Sequence, residues 1–266
     1  MQLDPIAAAA GVRLIALGTI GSTNREARGH AQRGERGPLW ITAVAQTAGR
    51  GRMDRAWVSP AGNLYASLLL SQPSSVEHAP ELAFVAALAV RDAIIAEVPA
   101  LGRELGFKWP NDLLLAGEKC AGILIEGEVE PDNSLHVVIG IGVNCESHPA
   151  TTADRPATDL GTHGAPVTAP QLFGRLSATM CRRLIRWDCG HGFPAILRDW
   201  LAAARGVGED ITVKNGATEK SGRFVGLDRS GRLLLELRGG GMEKISAGDV
   251  FPFAHSSDRS VANPIG

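Results

Sequence analysis

The sequence predicts an α+β protein, an antiparallel sheet packed by helices and followed by a small all-β barrel. Three observations carry that prediction. Three strand-like runs at 112–116, 120–129 and 134–143 are separated only by the turn signals Ala-Gly-Glu and Pro-Asp-Asn, too short for βαβ crossovers. Residues 76–98 follow a helical pattern yet are apolar nearly all round, as a helix packed against a sheet would be. After Gly206-Val207-Gly208 the texture changes to short alternating segments broken by Asn-Gly, Ser-Gly and Gly-Gly pairs.

The remaining elements follow in order. RLIALGTI at 13–20 reads as a strand ending at a turn, and Thr23 with Glu26 has capping-box spacing, which starts a helix at Ser22 or Thr23. LWITAVA at 39–45 is a strand leading into the Gly/Arg loop AGRGRMDRAW, and NLYASLLL at 63–70 is a strand following a Gly62-Asn63 turn. Residues 146–166 are rich in Pro, Thr, Ala and Gly and read as a long surface loop. Thr168 with Gln171 caps a helix running to about Trp187, and a second helix covers 193–204. The expected division is a domain at 1–206, a barrel at 207–254 and a polar, frayed tail at 255–266.

Composition narrows the function. The 266 residues carry 27 Lys and Arg against 28 Asp and Glu, a net charge of −1, so the chain as a whole lacks the footprint of a nucleic-acid binder. Asp4 and Pro5 stand where an export signal would place basic residues, and no apolar run approaches the ~20 residues of a membrane helix. Cys120, Cys145, Cys181 and Cys189 lie far apart without a CxxC pair, which fits reduced thiols in the cytoplasm rather than disulfides or zinc. Cys189 and His191 together are two ligands, too few for a metal site, so no resident metal is expected.

Several stretches carry possible chemistry. Gly49-Arg50-Gly51-Arg52 follows a strand; its glycines admit a ligand to the backbone and its guanidiniums fit phosphate or carboxylate, although a solvated basic turn would look the same. It matches neither a Walker loop nor a dinucleotide fingerprint. Lys108-Trp109-Pro110-Asn111-Asp112 is a rarer string and reads as one strand end turning into the next, either at a pocket mouth or as a surface ion pair beside a structural Trp. Lys119 opens the strand CAGILIEGE, with Gly122 leaving room beside it, and by itself would be an ordinary solvated charge. Gly140-Ile141-Gly142-Val143-Asn144 ends an apolar strand with two glycines, consistent with close packing of a flat ligand or with a tight strand. Ser22-Thr23-Asn24 serves helix capping and also offers donors to a polar head group.

In this order the motifs resemble biotin protein ligases. The likeness rests on Ser22-Thr23-Asn24, Gln46-Thr-Ala-Gly49-Arg50-Gly51-Arg52 with Trp57 behind it, Lys108-Trp-Pro-Asn-Asp112, Lys119-x-Ala-Gly-Ile-Leu-Ile-Glu126 and Gly140-Ile-Gly-Val-Asn144, with Ala157-Thr158-Asp159-Leu160 beyond. It covers roughly residues 15–253. The resemblance implies a class II synthetase-like catalytic domain with a mixed, mainly antiparallel sheet, and an SH3-like barrel at the end. It implies ATP-dependent conversion of biotin to biotinyl-5'-AMP, then transfer to a lysine of the biotin carboxyl carrier domain of acetyl-CoA carboxylase or a related carboxylase. Mg²⁺ is expected to arrive with ATP.

By match to the family pattern, Lys119 bridges the biotin carboxylate and the reacting phosphoryl group, and Arg50 and Arg52 serve the phosphate and carboxylate side. Ser22, Thr23, Asn24 and Gln46 surround the ureido ring, Gly49 and Gly51 of the Gly/Arg loop join Arg50, Arg52 and Lys119 in binding biotin, and Gly140 and Gly142 form the wall against it. Trp57, Lys108, Asn111, Asp112 and Asn144 are candidates for the ATP side. Because an acyl-adenylate hydrolyses readily, the Gly/Arg loop is expected to order over it. Met53 and Asp54 stand where the family often continues with a basic residue and glycine; an acid there would weaken retention of ATP or the intermediate unless an ion pair with Arg55 absorbs it. Some relatives also carry an N-terminal helix-turn-helix; only about a dozen residues precede these motifs, so the expectation is a form without operator binding. Lipoate or octanoate ligation on the same scaffold, and a non-enzymatic biotin-binding module, are the alternatives. A sheet edge could pair two copies into a homodimer.

Overall fold

The computed structural model describes residues 1–130, 133–152 and 156–252, without the side chains of Asp54 and Pro252. The tail expected at 255–266, the Pro131-Asp132 part of one turn and residues 153–155 of the surface loop lie outside the described residues. Two compact units divide the chain, Met1–Arg205 and Gly206 onward.

In the first unit the elements are α1 (Pro5–Ala9), β1 (Arg13–Ile20), α2 (Thr23–Gln32), β2 (Leu39–Gln46), β3 (Leu64–Ser71), α3 (Leu82–Glu97), β4 (Leu105–Lys108), β5 (Asp112–Leu115), β6 (Glu118–Val129), β7 (Leu135–Val143), α4 (Ala169–Trp187) and α5 (Phe193–Leu201). Seven strands form one sheet in the order β1-β2-β3-β7-β6-β5-β4. Strands β5, β6 and β7 form the expected antiparallel meander. Among the named strands only β1 and β2 pair in parallel, with α2 as the crossover between them, so the sheet is mixed. Strands β1 and β4 are its two edges.

The helices divide between the two faces. Helix α3 packs on β5, β6 and β7, and α4 packs on α3 and β3. With strands on one side and α4 on the other, α3 has little surface left for water, which is why it is apolar nearly all round: Leu82, Phe84, Val85, Leu88, Val90 and Ile94 are all buried. The ring of Phe84 meets Phe193 and Trp200 edge-on, with centroids 5.6 and 5.3 Å away, and Trp200 stacks on Phe107 of β4. On the opposite face α2 contributes Ala27 and Ala31 to a cluster with Leu39, Ile41, Leu69 and Val138. Because α2 is short, it covers only the β2-β3-β7 part of that face.

Several sequence expectations are corrected. The α-helix expected over 76–98 begins at Leu82, because Pro80 lacks an N–H; residues Val76–Glu81 form a 3-10 turn instead. Strand β4 was not anticipated, since LGFK is only four residues long and follows a Pro/Gly stretch. The helix expected over 193–204 ends at Leu201, and α1 adds a short N-terminal turn capped by Asp4. At α4 the expected capping box is complete: Gln171 N donates to Thr168 Oγ1, and Thr168 N donates to Gln171 Oε1.

The second unit holds β8 (Asp210–Asn215), β9 (Thr218–Leu227), β10 (Leu233–Leu237), β11 (Met242–Ile245) and β12 (Asp249–Pro252), an antiparallel sheet in the order β11-β10-β9-β8-β12. Ile211, Val213, Phe224, Leu233, Leu235 and Val250 supply its core. Among the described residues β11 and β12 are the edges of this sheet and do not pair with each other.

All four cysteines are free. Burial pushes the thiols of Cys120 and Cys145 up to about 12, whereas Cys189 is exposed on a tight turn. At pH 8, iodoacetamide is expected to modify native Cys189 first and to reach Cys120 and Cys145 only after unfolding, because the thiolate is the nucleophile. Peptide mapping of the alkylated protein checks this; early modification of Cys120 would contradict the buried strand register. No helix among the described residues is long and apolar enough to cross a membrane.

Candidate functional site

The sequence candidates meet on the sheet face that carries α2, around the start of that helix. Residues paired directly across antiparallel strands point to the same face, and the register places Ser67 beside Gly140 and Tyr65 beside Gly142, with Gly122 and Asp112 continuing the second row. Neither glycine of β7 is there for an unusual backbone; both are there for space. A Cβ at Gly140 would meet Asn24 Oδ1 at 2.2 Å, and one at Gly142 would meet Trp57 Nε1 at 2.5 Å. On Gly122 a Cβ would approach Trp57 Cζ3 at 3.1 Å and Lys119 Cε at 3.2 Å.

Over Gly140 lies the first turn of α2, where Ser22, Thr23 and Asn24 are all buried. Ser22 is the N-cap residue but makes no side-chain cap bond, so the expected Thr23–Glu26 box does not form. Gln46, at the end of β2, takes that role through tertiary structure: its Oε1 accepts from Thr23 N at 2.8 Å and from Thr23 Oγ1 at 3.1 Å. Its Nε2 donates to Ser59 Oγ at 2.9 Å, and Ser59 Oγ donates to Trp57 O at 2.8 Å. Ser67 Oγ donates to Asn24 Oδ1 at 2.5 Å and lies 2.8 Å from Thr23 Oγ1. These bonds satisfy polar groups that burial would otherwise penalise.

Residues 46–59 fold into a hairpin-like loop. Gln46 N donates to Ser59 O, Trp57 N to Gly49 O at 3.0 Å and Gly51 N to Arg55 O at 2.7 Å. Gly49 is obligatory, since a Cβ there would meet Trp57 O at 2.4 Å. At the tip, Met53 adopts a left-handed conformation (φ 54°). Arg55 donates from Nε to Arg52 O; the pairing envisaged for it with Asp54 lies outside the described residues. This fold lays the Trp57 indole on Gly142 and Gly122.

The cations lie along the same face, Arg50 toward Asn24 and Lys119 toward Gly122. Arg50 Nη2 donates to Glu126 Oε1 at 2.6 Å, and Arg52 Nη1 donates to Asn111 Oδ1 at 3.1 Å. Asn111 is itself held by Ile123, through both its backbone and its side chain. Lys119 Nζ lies 2.5 Å from Asp112 Oδ1 and 5.3 Å from the Trp57 ring centroid, a cation over an aromatic face. Lys108 is the cross-strand partner of Asp112. The Lys119 backbone is clamped from the other side, donating to Pro156 O and accepting from Thr158 N. Two donors, Arg50 Nε and Trp57 Nε1, are buried with no hydrogen-bond partner among the described residues. Burial also pushes the Tyr65 hydroxyl up to about 12, so it stays protonated and donates to Pro60 O at 2.8 Å.

Of the sequence candidates, Ser22, Thr23, Asn24, Gln46, Gly49, Arg50, Gly51, Arg52, Trp57, Lys108, Asn111, Asp112, Lys119, Gly140 and Gly142 lie around this one face. Asn144 differs, because its side chain is committed to a structural bond from Nδ2 to Thr158 O at 2.9 Å. Sequence reasoning gave no role to Glu126, Ser67, Ser59 or Asn63. Asn63 Oδ1 accepts from the backbone N–H groups of Cys145, Glu146 and Ser147, which fixes the turn after β7. A lone Ser67 within LYASLLL was the available signal for a polar group facing the site.

Comparison with known proteins agrees with this geometry. Residues 19–144 match the biotin/lipoate A/B protein ligase family, and residues 206–251 match the biotin protein ligase C terminal domain. The chain is 40% identical to the biotin–[acetyl-CoA-carboxylase] ligase of Paracoccus denitrificans over 237 residues, 86% of this chain and 96% of that one. It is 34% identical over 245 residues to the bifunctional ligase/repressor BirA of Bacillus spizizenii, 90% of this chain and 74% of that one. The structure of the Aquifex aeolicus biotin protein ligase in complex with biotin and ATP superimposes with a TM-score of 0.74 at 26% identity, covering 90% of this chain and 97% of that one. A mixed sheet with a glycine-lined face bordered by cations and a separate small β domain is the architecture of a ligase. The chain belongs to the biotin protein ligase family and is an enzyme of that family.

Proposed function

We propose that the protein activates biotin with ATP and transfers it to a lysine of a biotin carboxyl carrier domain, that of acetyl-CoA carboxylase or a related carboxylase. The observation that carries this reading is the convergence of a glycine wall, a buried polar end and three cations on one sheet face. Ser22, Thr23, Asn24 and Gln46 supply donors and acceptors for the ureido ring, while Gly140 and Gly142 leave room for a flat bicyclic ligand once Trp57 shifts. In the first step a biotin carboxylate oxygen attacks the α-phosphorus of Mg·ATP; the bond to the β-phosphoryl oxygen breaks and pyrophosphate leaves. Two anions must meet, so Lys119, Arg50 and Arg52 offset their repulsion where charge develops. Lys119 bridges the carboxylate and the reacting phosphoryl group. Trp57, Lys108, Asn111 and Asp112 flank the nucleotide, while Asn144 holds Thr158 behind them. In the second step the acceptor amine attacks the acyl carbon, the acyl–phosphate bond breaks, AMP departs and the amine loses a proton.

Both steps are tested by incubating the protein with biotin, ATP and magnesium, with and without an apo carrier domain. Pyrophosphate release together with a biotin-sized mass gain on the carrier is expected. Signal only with lipoate or octanoate would keep the scaffold and change the substrate, and silence with all three would leave a binding module. The loop also has to exclude water from the adenylate. Limited proteolysis within residues 47–57 is therefore expected to slow when biotin and ATP are added; an unchanged cleavage rate would count against a closing loop.

A further inference from the structure

Glu126 is the residue at which the two halves of the site meet. It stands on β6 in register with Val138, one row from Gly140, and its side chain is only 21% exposed. Its two oxygens go to different places. Oε2 accepts from Asn24 Nδ2 and Oε1 accepts from Arg50 Nη2, both at 2.6 Å. Arg28 approaches Oε1 only at 3.8 Å and bonds mainly to Glu128, so Glu126 is committed to the site rather than to a surface pair.

These bonds orient both partners. With Nδ2 held by Glu126, the Asn24 amide must turn Oδ1 to Ser67, which donates to it. With Nη2 held, the Arg50 guanidinium plane is fixed and Nε is left buried without a partner among the described residues, a donor available to an incoming group. A charge-assisted bond of this kind is directional and stronger than a neutral one. A carboxylate beside a cluster meant for anions reduces the attraction for ATP, so repulsion alone would select against it; its geometry is the compensating gain.

We propose that Glu126 is a positioning residue that couples the polar end of the site to the reacting end, setting Asn24 for the biotin head group and Arg50 for the carboxylate and phosphate. This deepens the ligase reading and rests on it. Glu126→Gln keeps an acceptor for Asn24 and loses the ion pair with Arg50; Glu126→Ala loses both.

The experiment measures biotin-dependent pyrophosphate release by wild type and both variants, with KM for biotin and for ATP obtained separately and melting temperature recorded. The expected pattern is a split. Glu126→Gln lowers kcat about tenfold with KM for biotin within twofold of wild type, whereas Glu126→Ala also raises KM for biotin about tenfold, each such factor corresponding to about 1.4 kcal/mol. Activity of both variants within twofold of wild type overturns the proposal, as does an equal loss in both that tracks a fall in melting temperature. A wild type silent with biotin overturns it together with the reading beneath it, whereas an active wild type with an indifferent Glu126→Ala overturns the proposal alone.

Discussion

Replacing Lys119 by Gln is expected to lower the rate of biotinyl-adenylate formation about 10²–10³-fold, the usual loss when one preorganised charge-stabilising donor is removed. The side chain stands at the start of β6, held by Asp112 and by the face of Trp57, and its backbone is bonded on both sides to residues 156–158. Fold stability should hardly change. The ammonium is about a third exposed, and a partly exposed ion pair contributes on the order of 1 kcal/mol or less. Lys119→Arg should not restore the rate, because the space over Gly122 and beside Trp57 admits a compact point charge more easily than a planar fork. Pyrophosphate release under saturating substrates, with the melting temperature as control, decides the matter. A Lys119→Gln rate within threefold of wild type would remove Lys119 from the chemistry.

The second large effect is expected at Gly140, where a single methyl group is enough. In Gly140→Ala the new Cβ would fall 2.2 Å from Asn24 Oδ1 and 2.8 Å from Asn24 Nδ2, so Asn24 or the start of α2 must move. Moving Asn24 breaks its bonds to both Ser67 and Glu126. Overpacking of this kind costs roughly 1–3 kcal/mol of stability. Disrupting one buried and one partly buried hydrogen bond at a recognition site should weaken biotin binding about a hundredfold, or about 3 kcal/mol. Isothermal titration with biotin alone measures this without any turnover. Unchanged affinity would mean that biotin does not lie against this wall.

Gly142→Ala meets a different neighbour. Its Cβ would strike Trp57, which is carried by a loop rather than by the helix. The loop can move where the helix start cannot, so the smaller effect on stability is expected there.

How much of this was legible beforehand depended on whether the information was local. The helix cap at Thr168 and Gln171 could be read off four residues, because both halves of a capping box lie within one turn. The same spacing at Thr23 and Glu26 placed the helix start correctly, with Ser22 as N-cap, but not the cap itself, because Gln46 lies 23 residues away and accepts from the Thr23 amide instead. The β5-β6-β7 meander was visible because its connections are short, whereas β4 was too brief and too weakly patterned to be seen. The glycines of Gly140-Ile141-Gly142 were recognised as unusual in an apolar strand, but which side chains press on them was not.

What the sequence determined by itself was therefore the set of chemistries available and the family they belong to. Ordered Ser-Thr-Asn, Gly-Arg-Gly-Arg, Lys-Trp-Pro-Asn-Asp and Gly-Ile-Gly motifs are strings of residue types, and strings survive being read one dimension at a time. The tertiary structure alone decided the pairings: Asn24 with Glu126 across 102 residues, Arg50 with Glu126 across 76, and Trp57 on Gly142. The reason is physical. A buried carboxylate or amide must find a partner wherever the sheet register brings one within about 3 Å, and register is set by the whole hydrophobic face, not by the motif in which the residue sits.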